Sequence, residues 1–233
     1  MVRSLGKYIA LFAICALGSY LVLSPKTQTP SGEQTFELPM AAMAQDTSSN
    51  GTDDAVEAAG VTEMVLGNPE ADVELIEYAS FTCPHCASFH AEQFKQLETD
   101  YIETGKIKFV FREVYFDKYG MWASMIARCA GPVRFFGITD MMFEKQGEWA
   151  RANGDLAIVN ELRKIGKIAG LTDENLDSCL QDGDKLRALV EWYQANATEH
   201  DIRSTPSLVL NGKTYKNMAY AELADLLDKE LGL

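Results

Sequence analysis

The alternation of hydrophobic and polar positions predicts two strands on either side of a helix in the middle of the chain. Residues 71–79 (ADVELIEYA) alternate at Val73 and Leu75 and then become more continuously apolar, which indicates a buried strand. Aromatic and aliphatic residues then recur at helical spacing as far as Gly105, a typical helix stop. Residues 106–114 (KIKFVFREV) alternate as a second strand. The order of these elements predicts a βαβ unit.

The apolar pattern becomes helical from about residue 116 to His200. A first helix ends where Gly131 and Pro132 follow one another, and Asp155 and Thr172 are predicted N-caps of two later helices. A further helix is predicted over residues 184–197. The methionines and tryptophans of these stripes are explained by core packing, and no cofactor is needed to account for them.

A strand signal returns near the end of the chain. Residues 207–210 are followed by Asn211 and Gly212, the pair most typical of a tight hairpin turn, and then by a short second strand. An amphipathic helix is predicted over residues 221–231. The whole pattern predicts an α/β fold: a βαβ half, a helical insertion and a ββα half.

The first 62 residues have a different character. Arg3 and Lys7 precede the uncharged run 8–23 (YIALFAICALGSYLVL), so residues 1–24 are predicted to be a signal peptide or a signal anchor. The run is long for a signal core and short for an ordinary membrane span, and both cleavage and retention as an N-terminal membrane anchor stay open. Residues 25–62 are rich in small and polar residues and are predicted to be a flexible tether.

Composition narrows the classes of partner. The formal net charge is −13 and 47% of the residues are hydrophobic. Nucleic-acid binding depends on basic contacts with phosphate, so this charge argues against a nucleic acid as partner. The hydrophobic content is that of a folded globular chain.

Four cysteines remain when Cys15 in the signal run is set aside. Cys83 and Cys86 are close enough to pair with one another, which leaves Cys129 and Cys179 for a long-range structural disulfide. An exported protein reaches a compartment in which disulfides persist. Other pairings would cross-link a tight Cys-x-x-Cys to distant helices and are less favoured.

The segment SFTCPHCASFH, residues 80–90, has three candidate roles: a metal site, a structural disulfide, or a redox-active thiol pair at the start of a helix. A tetrahedral zinc site needs two further ligands at paired spacing. His85 and His90 could add nitrogen ligands, but His85 lies inside the loop that the two sulfurs would clamp. The sequence therefore predicts no metal.

The position of the cysteines at a predicted helix start has chemical consequences. The first helical turn has unpaired N–H groups and the positive end of the helix dipole, which together favour a thiolate at Cys83. Pro84 suits that turn because its missing N–H is not needed there. Cys83 is expected to be exposed and to exchange with substrate, and Cys86, one turn further on, to be shielded and to resolve the mixed disulfide. His85 is expected to stabilise the thiolate, or else to be a histidine with no redox part.

The motif Cys83-Pro84-His85-Cys86, with the strand before it, the helical insertion and the later Thr205-Pro206, resembles the DsbA family of periplasmic thiol-disulfide oxidoreductases. The resemblance covers residues 63–233. It implies a thioredoxin-like fold in two parts, 63–116 and 201–233, with an inserted all-helical domain at 117–200.

The same resemblance assigns roles to three residues outside the motif. It implies a cis bond before Pro206 and substrate binding by the backbone at Thr205. It also implies that Glu77 lies beneath the cysteines and assists proton transfer from Cys86; the alternative is an ordinary solvated glutamate on a strand.

The predicted function is that of a periplasmic oxidase that introduces disulfide bonds into reduced exported polypeptides. The resemblance implies no bound cofactor and a membrane reoxidant of the DsbB type. Thr205 is more typical of isomerase and reductase branches than of the strict oxidase, which has Val before the cis-proline, so isomerase or reductase activity is the alternative. A redox-inert periplasmic binding protein is a further alternative.

Overall fold

The computed structural model describes residues 60–233. The predicted signal segment and nearly all of the predicted tether lie outside the described residues. Within residues 60–233 no helix combines the length and the apolar character needed to cross a membrane.

A five-stranded mixed sheet forms the centre of the described part. Its strands are β1 (Met64–Gly67), β2 (Glu74–Ala79), β3 (Lys108–Glu113), β4 (Ser207–Leu210) and β5 (Lys213–Lys216). Their order across the sheet is β1-β3-β2-β4-β5, with β2 and β3 parallel and all other neighbours antiparallel. The central strand β2 is covered on both faces, which explains why its sequence is apolar without strict alternation.

The edge strand β1 is not among the elements predicted from the sequence. It is four residues long and pairs antiparallel with β3. It ends at Gly67, whose φ is +80° and where a Cβ would lie 2.5 Å from the carbonyl oxygen of Ile107. Only glycine fits this close approach between the two chains.

The predicted helix after the cysteines is present. It begins as α1 (Pro84–Phe89), continues through a π-helical segment (His90–Phe94), α2 (Lys95–Leu97) and a second π-helical segment (Glu98–Ile102), and Gly105 follows with a φ of +68°. The apolar residues Phe89 and Phe94 are five positions apart, and a π-helical turn places such a pair on the same face. Both side chains are buried.

Six helices lie between β3 and β4, and a seventh follows β5. They are α3 (Lys118–Cys129), α4 (Pro132–Glu144), α5 (Gln146–Trp149), α6 (Asp155–Ile168), α7 (Asp173–Leu180), α8 (Gly183–Glu199) and α9 (Tyr220–Leu231). Thr172 caps α7 as predicted, through a capping box with Asn175. The order of elements is the βαβ half, helical insertion and ββα half expected from the pattern.

One expectation for the helical insertion is wrong, and two of its helices were not individually predicted. The predicted helix ends before Gly131 and Pro132 as expected, and α4 and α5 follow within the region predicted to be helical. Pro132 begins α4, because proline is well tolerated in the first turn of a helix. The residue that caps α6 is Gly154 rather than Asp155, which is the first residue of the helix.

The insertion is tied to the sheet by a buried ion pair and contains a disulfide. Arg128 of α3 donates from Nε and Nη2 to the two carboxylate oxygens of Glu113 in β3, each at 2.6 Å, and both side chains are buried. Cys129 and Cys179 are disulfide-bonded, with their Cα atoms 5.8 Å apart, and join the end of α3 to α7. The insertion is therefore held both internally and against β3.

Candidate active site

The central strand leads the chain directly to Cys83. Cys83 has an extended backbone and occupies the N-cap position of α1, with Pro84 as the first helical residue. Its backbone N–H donates to the carbonyl of Ser80 at 3.0 Å, which closes the turn between strand and helix. Cys83 and Cys86 are both free thiols in this structure.

Cys83 is much less exposed to solvent than expected. Its exposed fraction is 8%, because neighbouring side chains and the loop before β4 cover most of it, while that of Cys86 is 0%. The order of accessibility is still the expected one, since only Cys83 retains contact with solvent.

The surroundings of Cys83 favour its thiolate. Its pKa is lowered to about 5, chiefly by the hydrogen bond from the thiol of Cys86, and further by the side chain of Thr205 and the backbone N–H groups of Cys86 and His85, while burial acts in the opposite direction. A thiolate that accepts several hydrogen bonds from fixed donors is stabilised relative to the thiol. Cys83 is therefore ionised at neutral pH.

His85 contributes to this effect through its backbone. Its side chain is exposed, and the group that lowers the pKa of Cys83 is its backbone N–H at the start of α1. The structure thus gives a local reason for a stable thiolate that does not depend on the imidazole.

Cys86 has the opposite character. Its pKa is raised far above that of a free thiol, first by burial, then by its hydrogen bond to Cys83 and by the charge of Glu77. A buried thiol next to a thiolate and a carboxylate keeps its proton. The two cysteines are thus unequal, one ionised and reachable and the other protonated and enclosed.

The pairing of β2 with β4 brings Thr205 and Pro206 to the cysteines, across a separation of 122 residues. The Sγ atom of Cys83 lies 3.5 Å from the carbonyl oxygen of Thr205. The peptide bond between Thr205 and Pro206 is cis, as the resemblance implied, and Pro206 is buried.

Glu77 is buried in β2 and does not face solvent, so the alternative of a solvated glutamate is wrong. Its Oε2 atom lies 3.0 Å from Nε2 of His90. Sequence reasoning considered His90 only as a metal ligand. The sequence does contain one indication that His90 lies near the cysteines. His90 follows Cys86 by four residues, which places both side chains on one face of a helix.

Gln146 is a second residue that the sequence reasoning missed. Its side-chain amide donates to the carbonyl oxygens of Phe81 and Cys83, at 2.8 and 2.9 Å, and is buried. A glutamine in a four-residue helix of a distant segment has no sequence signal that links it to the cysteines. Among residues 60–233 no group of three or more His, Cys, Asp or Glu side chains is arranged to hold a metal ion.

Comparisons with known proteins point in the same direction as this geometry. A family model described as Thioredoxin matches residues 59–229. A Rickettsia bellii protein, provisionally named a protein-disulfide oxidoreductase, is 32% identical over 170 residues, which cover 72% of this chain and 64% of that relative. The chain therefore spans less than two thirds of the length of this relative.

Two further likenesses cover more of the matched protein. Disulfide bond formation protein D of Bacillus subtilis is 31% identical, over 72% of this chain and 77% of that protein. The crystal structure of alpha-DsbA1 of Wolbachia pipientis is similar with a TM-score of 0.66 and 26% identity, over 73% of this chain and 91% of that one. These matches confirm the thioredoxin-like fold and the resemblance to DsbA proteins.

Proposed function

The chain belongs to the thioredoxin family, and from that membership and its two unequal thiols we propose that it is a protein thiol-disulfide oxidoreductase of the DsbA kind that introduces disulfide bonds into exported proteins. The observation that carries the proposal is the contrast between Cys83, with its pKa near 5, and Cys86, which keeps its proton. A stabilised thiolate stabilises the reduced pair, and a stable reduced pair makes its disulfide a good oxidant.

The transfer begins with the oxidised pair. A substrate thiolate attacks the Sγ of Cys83, the Cys83–Cys86 bond breaks, and Cys86 leaves and takes up a proton. A second substrate thiolate then attacks the substrate sulfur of the mixed disulfide, and Cys83 leaves as a thiolate. Two electrons pass from the substrate dithiol to the enzyme, and the substrate gains a disulfide.

Burial makes the choice of sulfur unequivocal. Of the two cysteines only Cys83 retains an accessible surface, so the substrate thiolate attacks its sulfur. In the second step the Cys83 thiolate is a good leaving group because its pKa is low. Cys86 is fully enclosed and so is released only inward, where it can return to close the disulfide. Pro84 fixes the start of the helix that presents the pair.

Thr205 and Pro206 are proposed to bind the substrate chain. The carbonyl of Thr205 lies next to Cys83, so an extended peptide that pairs with the backbone there would bring its own cysteine to the reactive sulfur. Glu77 is proposed to act on the other side of the pair, as the group that exchanges a proton with Cys86.

The proposed setting is the periplasm, with the protein soluble after signal cleavage or tethered by its N-terminal segment. The reduced enzyme must be reoxidised before it can act again, and a membrane reoxidant of the DsbB type is the proposed partner. Reduced exported polypeptides are the proposed substrates.

The test is the equilibrium of the Cys83 and Cys86 pair with glutathione, measured with Cys129 and Cys179 intact. A disulfide donor is expected to have a potential closer to the value of about −120 mV typical of DsbA than to about −270 mV for thioredoxin. Cys83→Ala is the matched control and should abolish oxidation of a reduced peptide. Oxidation that persists in Cys83→Ala would refute the proposed chemistry.

Isomerase or reductase activity is the second candidate, because Thr205 stands before the cis-proline. Its signature would be a potential near that of thioredoxin and faster rescue of a scrambled substrate than oxidation of a reduced one. A redox-inert binding protein is the third, and predicts that Cys83→Ala keeps full cellular function.

A further inference from the structure

Glu77 and His90 form a buried pair that the transfer steps above do not use in full. His90 is 5% exposed and Glu77 is 0% exposed, and Nε2 of the ring lies 3.0 Å from Oε2 of the carboxylate. His90 lies one helical turn after Cys86, and the charge of Glu77 raises the pKa of Cys86, so the pair lies beside the sulfur that must gain and lose a proton. The proton needs a route to solvent because Cys86 itself has none.

Aromatic packing fixes the orientation of the His90 ring. The ring stacks on Phe143 of α4 at a centroid distance of 4.2 Å and an interplanar angle of 23°. It also packs against Phe94 in a tilted arrangement, at a centroid distance of 4.6 Å. Held in this way, the ring presents Nε2 to Glu77. Its other nitrogen, Nδ1, is buried and has no hydrogen-bond partner within residues 60–233. A buried polar atom without a partner is uncommon and calls for an explanation.

The unpaired nitrogen lies toward the surface. Nδ1 is 4.0 Å from Oδ1 of Asp140 on α4, and the Asp140 side chain is 56% exposed. His90 and Asp140 both line a cleft of about 590 Å³ between α4 and the helix that follows the cysteines. A gap of 4.0 Å is too long for a direct hydrogen bond, and a single water molecule can bridge polar atoms at such a separation.

We propose that Glu77, His90 and Asp140 form a proton relay that connects Cys86 with solvent in this cleft. The inference deepens the proposed function and depends on it. His90 touches neither substrate nor sulfur and so is a positioning residue that acts through Glu77.

The relay balances in both directions. When the enzyme disulfide is reduced, Cys86 leaves as a thiolate. His90 takes up a proton at Nδ1 from solvent beside Asp140 and gives its Nε2 proton to Glu77, which passes it to Cys86. When the disulfide re-forms, Cys86 passes its proton to Glu77, Glu77 passes it to Nε2 of His90, and Nδ1 releases a proton to solvent, so each member returns to its starting state.

Other charged groups also lie near the ring or line the cleft. Glu77 faces the ring from β2 and Asp140 from α4, and the remaining charged groups near it or in the cleft are Glu92, Lys95, Glu98 and Glu144. The proposed route passes through Glu77, His90 and Asp140 alone, so none of these other groups takes part in it.

The experiment follows closure of a mixed disulfide. Reduced protein is mixed rapidly with oxidised glutathione: the Cys83 thiolate attacks it and forms a mixed disulfide, and Cys86 then loses its proton, attacks Cys83 and releases a second glutathione. Acid quenching and mass spectrometry separate the two steps, and the closure rate is recorded from pH 5 to 9.

Three variants of the full chain separate relay from packing. His90→Gln keeps an amide donor for Glu77 and cannot carry a proton, Asp140→Asn alters only the outer end, and Glu144→Gln removes a charge from the same cleft one turn further along α4. We expect closure to slow by about 10²-fold in His90→Gln and several-fold in Asp140→Asn, with no change in Glu144→Gln. The first step should be unaffected in all three.

The dependence of the closure rate on added buffer distinguishes a loss of proton transfer from a packing defect, because a packing defect would not respond to buffer. Closure in His90→Gln and Asp140→Asn is expected to accelerate as imidazole buffer is added, because a small proton carrier can enter the cleft. Wild-type closure in Asp140→Asn, or slow closure in His90→Gln that does not respond to buffer, would overturn the relay.

The experiment remains decisive if one variant fails to fold, and it tests the relay separately from the proposed function. If His90→Gln does not fold, the exposed Asp140→Asn decides alone. Oxidised glutathione converts a reactive dithiol to a disulfide whether the enzyme acts as an oxidase, an isomerase or a reductase. A redox potential near that of thioredoxin would therefore refute disulfide donation, and the closure rate could still be measured to test the relay.

Discussion

The side-chain amide of Gln146 lies 2.9 Å from the carbonyl oxygen of Cys83. The helical insertion therefore contacts the backbone of the reactive cysteine itself. The same amide holds the carbonyl of Phe81, so one buried side chain fixes the turn between β2 and α1 at two points. The shape of this turn determines which backbone N–H groups face the sulfur of Cys83.

Replacement of Gln146 by methionine tests this contact. Cys83 keeps two backbone donors to its carbonyl, but Phe81 loses the donor from Gln146, and an unmet buried acceptor costs about 1–3 kcal/mol of unfolding free energy. Urea unfolding should show that loss. Gln96→Met on the exposed face of α2 is the control and should change stability by less than about 0.5 kcal/mol. Equal effects of the two substitutions would contradict a role for Gln146 at the turn.

The pKa of Cys83 predicts a pH profile for its reactivity. Alkylation of the reduced protein by iodoacetamide should rise with a midpoint near pH 5, because the thiolate is the nucleophile. In Cys83→Ser the remaining Cys86 should stay unreactive through neutral pH, since burial keeps it protonated. A wild-type midpoint near that of a free thiol would show that the hydrogen bonds do not stabilise the thiolate.

The same ionisation makes the stability of the reduced protein depend on pH. The folded pKa of Cys83 is about 5, whereas a thiol in the unfolded chain titrates at about 8.5, so between these values the unfolded chain binds more protons. The contribution of Cys83 to the unfolding free energy should increase as pH rises from about 5 to about 8.5 and vanish below pH 5. The difference in stability between wild type and Cys83→Ser, measured by urea unfolding across this range, reports it. A difference that is constant with pH would contradict the shift.

The buried ion pair of Glu113 and Arg128 should be costly to break. Arg128→Met leaves the Glu113 carboxylate enclosed without its partner, and removing one member of a buried pair costs about 3–5 kcal/mol. Arg187→Met is the matched control, because Arg187 pairs with Asp184 in exposed positions and should cost less than about 1 kcal/mol. Similar midpoints of unfolding for the two variants would contradict this prediction.

The disulfide between Cys129 and Cys179 is predicted to stabilise without taking part in exchange. It closes a loop over a separation of 50 residues, which corresponds to about 4 kcal/mol in the chain-entropy model. The double variant Cys129→Ala/Cys179→Ala should unfold at lower denaturant and keep the potential of the Cys83 and Cys86 pair. A shifted potential in a folded double variant would point to regulation instead.

The sequence predicted those elements whose formation depends on local pattern. The strand before Cys83, the capping box at Thr172 and the Asn211-Gly212 hairpin all depend on residues close in the chain, and they are present. The short strand β1 carries too few residues for a periodic signal, and it forms because the edge of β3 accepts it. Gly131 and Pro132 separate two helices: the predicted helix ends before them, and α4, which was not individually predicted, begins at Pro132.

The residues of the candidate site also form two groups, those that the sequence predicts and those that it does not. Cys83 and Cys86 are recognisable from their own spacing, and Thr205 and Pro206 from the resemblance. The contact of Gln146 with Cys83, and that of Asp140 with His90, depend on how the insertion packs against the helix after the cysteines. No local pattern specifies such packing, so these residues emerge only from the folded chain.

The pairing of β2 with β4 has a consequence for biosynthesis. Thr205, one of the groups that lower the pKa of Cys83, is 122 residues further along the chain. A polypeptide still being synthesised, with only its first two hundred residues made, carries both cysteines but lacks the strand that completes their surroundings. Its Cys83 lacks one of the groups that lower the pKa of the folded thiol. The unequal pair of thiols therefore forms only after residue 205 of the 233-residue chain has been added.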